Sequence, residues 1–443
     1  MSLGRRNFGG LVLAVAASVI GLVSYLSYPT PTRHPQKSSS NHQLNRLPDM
    51  SLRSKTCQEA FWGMFVADAL SMPVHWYYNT DDIQRDFDGW LTGYAAPRKR
   101  HPSSILTISA TGGAGRSTFS GKKKSVIGDV ILHNKLKFWT KNDRSIHYHQ
   151  GMSAGDNTLN LHCAARAAIQ ASRLDSEPAS EEDDLLAAVM TDYVQFMTTP
   201  GTHNDTYAES WHREFFRDWD MKGRPTKPEM VMKFIEERQG VLETTHLDHN
   251  IDSVGALVQP IPIVLHYADK SEDTAARQAV KLVRMTHGSV NLDPFVDVYA
   301  RTLHAVLNGA SLREKAEEAL KTPPVGNART WRMVQEFSRR AAQYSKGSDR
   351  RLEVYQSAVG QMGLACYIQG AMTSLFFLAH EFHDDFEGGV LTNTNCGGEN
   401  CHRGAALGAL LGAEAARTDK RIPDRFKTGL HSLQNDIQKA LDK

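Results

Sequence analysis

Several things are scarce in this sequence. Cysteine numbers five, an odd count with no regular spacing, which excludes a disulfide scaffold. Charge of one sign is missing: 51 Lys and Arg stand against 49 Asp and Glu, net +2, with the signs interspersed. That balance gives no basic field for nucleic acid and no acidic solvating tail. Alternating β-branched runs are nearly absent, so no parallel sheet or sandwich can be assembled. What is present is the composition of an ordinary globular protein, 41% hydrophobic and 23% charged. Setting aside roughly the first fifty of 443 residues leaves a body of enzyme size. Length alone fits two or three average domains or one large helical unit.

The N-terminal segment reads as an address. Arg5 and Arg6 precede an uncharged run from Phe8 to Tyr28, long enough as a helix to cross a bilayer core of roughly 30 Å. Positive charge before it and polar residues after it predict a single-pass signal-anchor over 1–32 with a lumenal or extracytoplasmic body. Two export readings stand beside it: Gly4-Arg5-Arg6-Asn7-Phe8 is faintly like a twin-arginine signal, and Ala14-Val15-Ala16 offers a cleavage site. Residues 33–50, rich in Pro, Ser, Asn and His, read as a disordered linker to a body over 51–443. Asn204-Asp205-Thr206 fits a glycosylation sequon.

The body is a succession of helix signals. Thr226-Lys-Pro-Glu229 opens a capping box that Gly240 should stop, Ser180-Glu-Glu-Asp183 opens another, and Ser271 and Ser311 begin helices over 272–285 and 312–320. Trp331, Val334, Phe337 and Ala341 recur at helical spacing. The fold class is therefore all-α. Arg98–Ser125, basic and rich in Gly and Ser, is a surface loop: Gly121-Lys122 lacks the earlier glycine of a phosphate loop, since Arg116 stands there. His380-Glu381-Phe382-His383 has the wrong spacing for a zincin helix, and His246-Leu-Asp248-His249 reads as a polar loop. His147-Tyr148-His149 precedes the second of four polar segments as a possible piece of a cleft rim.

Those four segments hold the groups a site would need. Asp68 lies on an otherwise apolar helix that Pro73 ends, with Ser71 and His75 alongside; an acid there must be paired or functional. Asp156, Asn157 and Thr158 open the helix Leu159–Leu174, where they could cap it or offer oxygens to a hard cation. Gly255 and Gln259 precede Thr286-His287, a histidine at a helix end. Last, Gly397 and Gly398 lead through Glu399, Asn400, Cys401 and His402 into a helix whose Gly404, Gly408 and Gly412 share one face. Such a turn can bring phosphate to a helix N-terminus, and such a face lets a neighbour approach closely.

In this order the segments resemble the ADP-ribosylglycohydrolase family, over about Cys57 to Ala416. The family's Gly-Asp-Ala-Leu-Gly helix is matched by Ala67-Asp68-Ala69-Leu70-Ser71, its Thr-Asp-Asp-Thr turn by Gly155-Asp156-Asn157-Thr158, its Thr-His helix by Thr286-His287. Its Gly-Gly-Asp-Thr-Asp-Thr is matched by Gly397-Gly398-Glu399-Asn400-Cys401-His402. The resemblance implies a compact single all-α domain with a central cleft and a pair of magnesium ions. It also implies release of ADP-ribose from a conjugate, a modified protein side chain or small metabolite, by a chain acting as a monomer. It assigns catalysis to Asp156 and Glu399 facing each other across the cleft, and metal to Asp156, Asn157, Thr158, Glu399, Cys401, His402 and Asp68. Substrate goes to Gly397 and Gly398 at the phosphates, with His287, Gly255, Ser71 and His75 around them.

The departures from the pattern fall on the ligands: Gly155 replaces a Thr, Asn157 an Asp, and Cys401 and His402 the second Asp-Thr, while His75 stands where an acid is usual. Magnesium needs hard oxygen donors. Three readings follow. A magnesium hydrolase survives with one ion instead of two; Cys401 and His402, with His75, turn the site toward zinc; or no metal is bound, and the fold is an ADP-ribose binder or a structural protein.

Overall fold

The computed structural model describes residues 54–109, 126–141, 143–174, 182–242 and 249–441. The apolar run Phe8–Tyr28, the 33–50 linker, the cap at Ser180, His246 and most of the Gly/Ser-rich loop lie outside them. Among the described residues every regular element is helical, with three isolated bridges and no strand. None of these helices is long and apolar enough to cross a membrane. Residues 47–443 form one contact unit.

The helices that position the site are α1 (Lys55–Ser71), α2 (Leu159–Leu174), α3 (Ser210–Met221), α4 (Pro260–His266), α5 (Glu272–Thr286), α6 (Asp293–Leu307), α7 (Phe386–Asn395) and α8 (Asn400–Arg417). Ser54 starts α1 by accepting the Cys57 N–H at 3.2 Å, and the one-turn 3-10 helix Met72–Val74, containing Pro73, replaces its next turn. Helices α1 and α8 are buried on nearly all sides. Such helices carry apolar and small residues around their whole circumference, with no polar face to turn to water.

The two helices cross at backbone contact. A Cβ on Gly63 would stand 2.1 Å from Gly408 O, and one on Gly412 would stand 2.2 Å from Glu59 O. A helical glycine costs about 1 kcal/mol relative to alanine, so these glycines are held by the close approach. Around this pair pack α4, α6 and α7, with α5 outside α6.

Helix α2 spans Leu159–Leu174 as its pattern predicts. The helix Pro228–Leu242 does not stop at Gly240. That helix buries Val231, Phe234, Ile235 and Arg238 on one face, and one interior glycine is too small a penalty to end it.

Candidate functional site

Between α1 and α8 runs a buried line of acids and imidazoles. Asp205 lies in the segment leading to α3, His149 in the segment leading to α2, His75 just after α1, and Glu399 and His402 at the start of α8. Asp205 Oδ1 is 2.8 Å from His149 Nδ1, His149 Nε2 is 2.7 Å from His75 Nδ1, and His75 Nε2 is 2.7 Å from Glu399 Oε1. His402 Nδ1 is 3.0 Å from the same Glu399 oxygen but out of line for a hydrogen bond. It is 3.7 Å from Glu209 Oε1.

Backbone geometry aims these rings. Trp76 sits at φ +62°, a left-handed conformation costing a bulky residue about 1–3 kcal/mol. Its N–H donates to Gly398 O at 2.8 Å, and its indole stacks on the His75 ring with centroids 3.7 Å apart. The strained turn thus fixes His75 against the loop that carries Glu399. Glu209, just before α3, accepts from Asn160 Nδ2 at 2.7 Å and Trp211 Nε1 at 2.9 Å through Oε2, and from Ser253 Oγ at 3.2 Å through Oε1.

Charge follows from these neighbours. Burial alone would raise the Glu399 carboxyl, but His75 and His402 hold it well below the usual range. Burial would lower His402, yet Glu209 and Glu399 push it up to about 10. His75 is pulled down to about 4 by burial, against the pull of Glu399. For Asp205, burial is outweighed by His149 and by the N–H groups of Tyr207 and Leu159, and the carboxyl falls below the ordinary value.

A cavity of about 200 Å³ lies beside this line. Trp76, Tyr148 and Tyr207 wall it, Tyr78 and Tyr367 are half-exposed at its mouth, and Arg213 and Glu209 are buried within it. Glu209 is the one carboxylate among its described lining residues.

The residues singled out in the sequence divide among separate places. Asp68 is buried and accepts from Asn157 Nδ2 at 3.0 Å, Thr158 N at 2.8 Å and Thr158 Oγ1 at 2.7 Å. Asp156 accepts from Ser153 N, Asn204 Nδ2 and His431 Nδ1 at 2.7–2.8 Å. Among the described residues it shares no hydrogen-bond partner with Glu399, the acid expected to face it across the cleft. Asn204, the sequon residue, is occupied by that bond. Gly155, at φ +82°, explains one departure: a Cβ there would stand 2.2 Å from Gly429 O, where the C-terminal segment crosses. Cys401 is fully buried, its thiol raised well above its usual value by burial, with Sγ 3.9 Å from Asp68 O.

The glycine turn, expected to admit phosphates, is packed closely against backbone. Gly397 and Gly398 have φ of +65° and +62°, and a Cβ on either would lie about 2 Å from a backbone carbonyl, Tyr77 O or Leu364 O. Their N–H groups donate to Thr394 O and Tyr77 O. Ser71 Oγ is occupied by Thr394 and Asn393. His287 is buried and does not line the cavity; it stacks on Trp211, the indole that holds Glu209. Gly255 stands where a Cβ would meet Glu209 Oε2 at 2.1 Å, so it makes room for that carboxylate.

His149, Asp205 and Glu209 were not expected. The first was noted as a rim residue beside His147, whose ring bonds Pro73 O and the His149 N–H. The others sit in Asp205-Thr-Tyr-Ala-Glu209, two acids ahead of a helix; that spacing was the available signal, and it reads equally as helix N-terminal charge.

Carboxylates and imidazoles thus lie buried beside an aromatic cavity in an all-helical body. The ADP-ribosylglycohydrolase family model matches residues 49–443, and the chain belongs to that family, whose name is that of a hydrolase. A search of curated proteins finds no match. Among solved structures the chain is similar to one titled ADP-ribosylglycohydrolase-related protein complex, at 15% identity over 87% of this chain and 97% of that one. Its TM-score is 0.43, a likeness too loose to argue from.

Groups that could hold a metal are present, His75/Glu399/His402 and His75/His149/Cys401. A magnesium pair does not fit. It needs several oxygen donors around each ion, whereas Asp68, Asn157 and Thr158 bond one another, Asp156 faces His431, and the remaining donors are mostly nitrogen.

Proposed function

We propose that the chain hydrolyses the anomeric bond of an ADP-ribosyl conjugate, with the reacting ribose in the aromatic cavity and Glu209 as the base. The observation that carries this reading is that Glu209 alone among the described lining residues brings a carboxylate into the cavity, oriented by three donors. A volume of about 200 Å³ is below the roughly 300–1,000 Å³ of a whole-ligand pocket. It therefore takes one moiety, with the rest of the conjugate across the mouth at Tyr78 and Tyr367. Arg213 offers charge for a phosphate, and the aromatic walls offer faces for a sugar or base.

Water adds to the anomeric carbon and its proton passes to Glu209. The bond from that carbon to the side-chain oxygen or nitrogen breaks, its electrons leave with that atom, and the atom takes a proton from solvent at the mouth. Glu209 then returns its proton to solvent. No step runs through a metal.

The test is incubation of the full chain with ADP-ribosylated arginine and serine peptides. Release of ADP-ribose, cut about 10²–10⁴-fold in Glu209→Gln, is the expected result. No release from either peptide, or a Glu209→Gln variant as fast as the parent, overturns it. A second reading has its own support: the oxygens at the magnesium-type positions are occupied by internal hydrogen bonds. On that reading the chain binds ADP-ribose without turnover, and calorimetry gives heat with ADP-ribose and no product.

The anchor reading of Phe8–Tyr28 stands as a further proposal. Carbonate extraction of membranes tests it, and a body recovered wholly in the soluble fraction overturns it.

A further inference from the structure

Hydrogen counting along the buried line leaves a gap. Asp205 Oδ2 accepts the Leu159 N–H, and Oδ1 accepts the Tyr207 N–H, so the His149 nitrogen 2.8 Å from Oδ1 is a donor. His149 Nε2 is then an acceptor, and His75 Nδ1 donates to it across 2.7 Å. That assignment leaves a lone pair on His75 Nε2, 2.7 Å from a Glu399 oxygen that is itself all lone pairs. Two buried lone pairs at that distance need a positive centre between them.

A single proton would serve His75 and Glu399. It would leave Glu399 Oε2, buried, without a hydrogen bond among the described residues, and His402 Nδ1 with only a misaligned Glu399 oxygen at 3.0 Å. An ion takes one donor atom from each of His75, Glu399 and His402, and these three atoms lie within 4.8 Å of one another.

We propose that this chain holds one divalent transition ion, zinc by preference, on His75 Nε2, Glu399 and His402 Nδ1. Two imidazoles and one carboxylate are the three-ligand set of zinc sites that keep a position open, and nitrogen donors select against magnesium. His149 and Asp205 form the outer relay that fixes the ring and tautomer of His75, as second partners of ligating histidines do. Glu209 Oε1, 3.7 Å from His402 Nδ1, stands beside the ion. Cys401 takes no part. The inference does not rest on the hydrolase reading, because it is tested by binding alone.

The test uses the full chain stripped with chelator and titrated with zinc chloride, then with cobalt chloride followed by visible absorption. The expected result is one ion per chain at micromolar concentration, with cobalt bands of a four- or five-coordinate site and no competition from millimolar magnesium. His75→Gln and Glu399→Gln abolish binding at that concentration. Asp205→Asn weakens it about tenfold to a hundredfold, and Cys401→Ala leaves it within about twofold, as a residue outside the ligand set should. No zinc on the wild-type chain, or equal competition by magnesium, overturns the proposal whether or not the variants fold. So does binding lost in Cys401→Ala and kept in Glu399→Gln, which would move the ion to the His75/His149/Cys401 group.

Discussion

Asp68 and Glu399 are both fully buried, one on α1 and one at the start of α8, yet their surroundings differ in kind. Asp68 meets three hydrogens: two N–H groups on one oxygen and a hydroxyl on the other. Glu399 meets two imidazole nitrogens on one oxygen and, among the described residues, no hydrogen-bond partner on the other. Burial is equal, so it does not distinguish them. Donor supply does: the first acid is a finished structural joint, and the second is left with capacity for something else.

The sharpest way to break that contrast is to remove each charge in turn. Asp68→Asn points an amide at the Thr158 N–H or loses the Asn157 bond, and should destabilise the fold by about 3 kcal/mol in urea denaturation. Glu399→Gln removes the countercharge that helps push His402 up, so it too should destabilise the metal-free fold by several kcal/mol, but it alone should abolish zinc binding. Zinc binding lost in Asp68→Asn as completely as in Glu399→Gln would erase the distinction.

Acidity separates the two as well. Burial pushes Asp68 from the ordinary 3.8 up to about 6, against the hydrogen bonds from Asn157 and Thr158. The folded state therefore holds this proton more tightly than the unfolded chain. Its contribution is fully present below about pH 4 and is lost as pH rises through about 6, by up to roughly 3 kcal/mol. The stability gap between wild type and Asp68→Asn, measured across that window, should narrow; a constant gap would contradict the assignment. Glu399 is displaced the other way and stays ionised throughout. The smallest effect is expected at Asp156, the third acid: His431→Ala removes one partner from it and should cost about 1 kcal/mol, with zinc affinity unchanged.

The fold class was legible because helical spacing and caps are local. Helix α2 could be bounded at Leu159 and Leu174, and the Gly404, Gly408 and Gly412 face foretold a closely packed neighbour, which the fold shows to be α1. The site was legible in part. His75, Glu399 and His402 stood out as departures from a pattern, while His149, Asp205 and Glu209 did not, because what joins them is contact across the fold. What Gly397 and Gly398 pack against was not legible for a physical reason: positive φ frees space equally for a ligand or for another stretch of backbone, and only the fold shows the backbone of Tyr77 and Leu364 there. The bond from His431 to Asp156 was not legible, since nothing local announces that the C-terminal segment reaches it.

The glycine crossing of α1 and α8 has a consequence for how the molecule comes into being. His75 and Glu399 are 324 residues apart in sequence, and the entropy of closing so long a span grows only slowly with its length. During synthesis, however, everything up to α7 emerges before Glu399 and His402 do. A nascent chain halted short of Glu399 owns three of the five aligned groups and none of the α8 docking surface. Competence therefore arrives late and all at once, when the eighth helix leaves the ribosome and slides its glycines against Gly63.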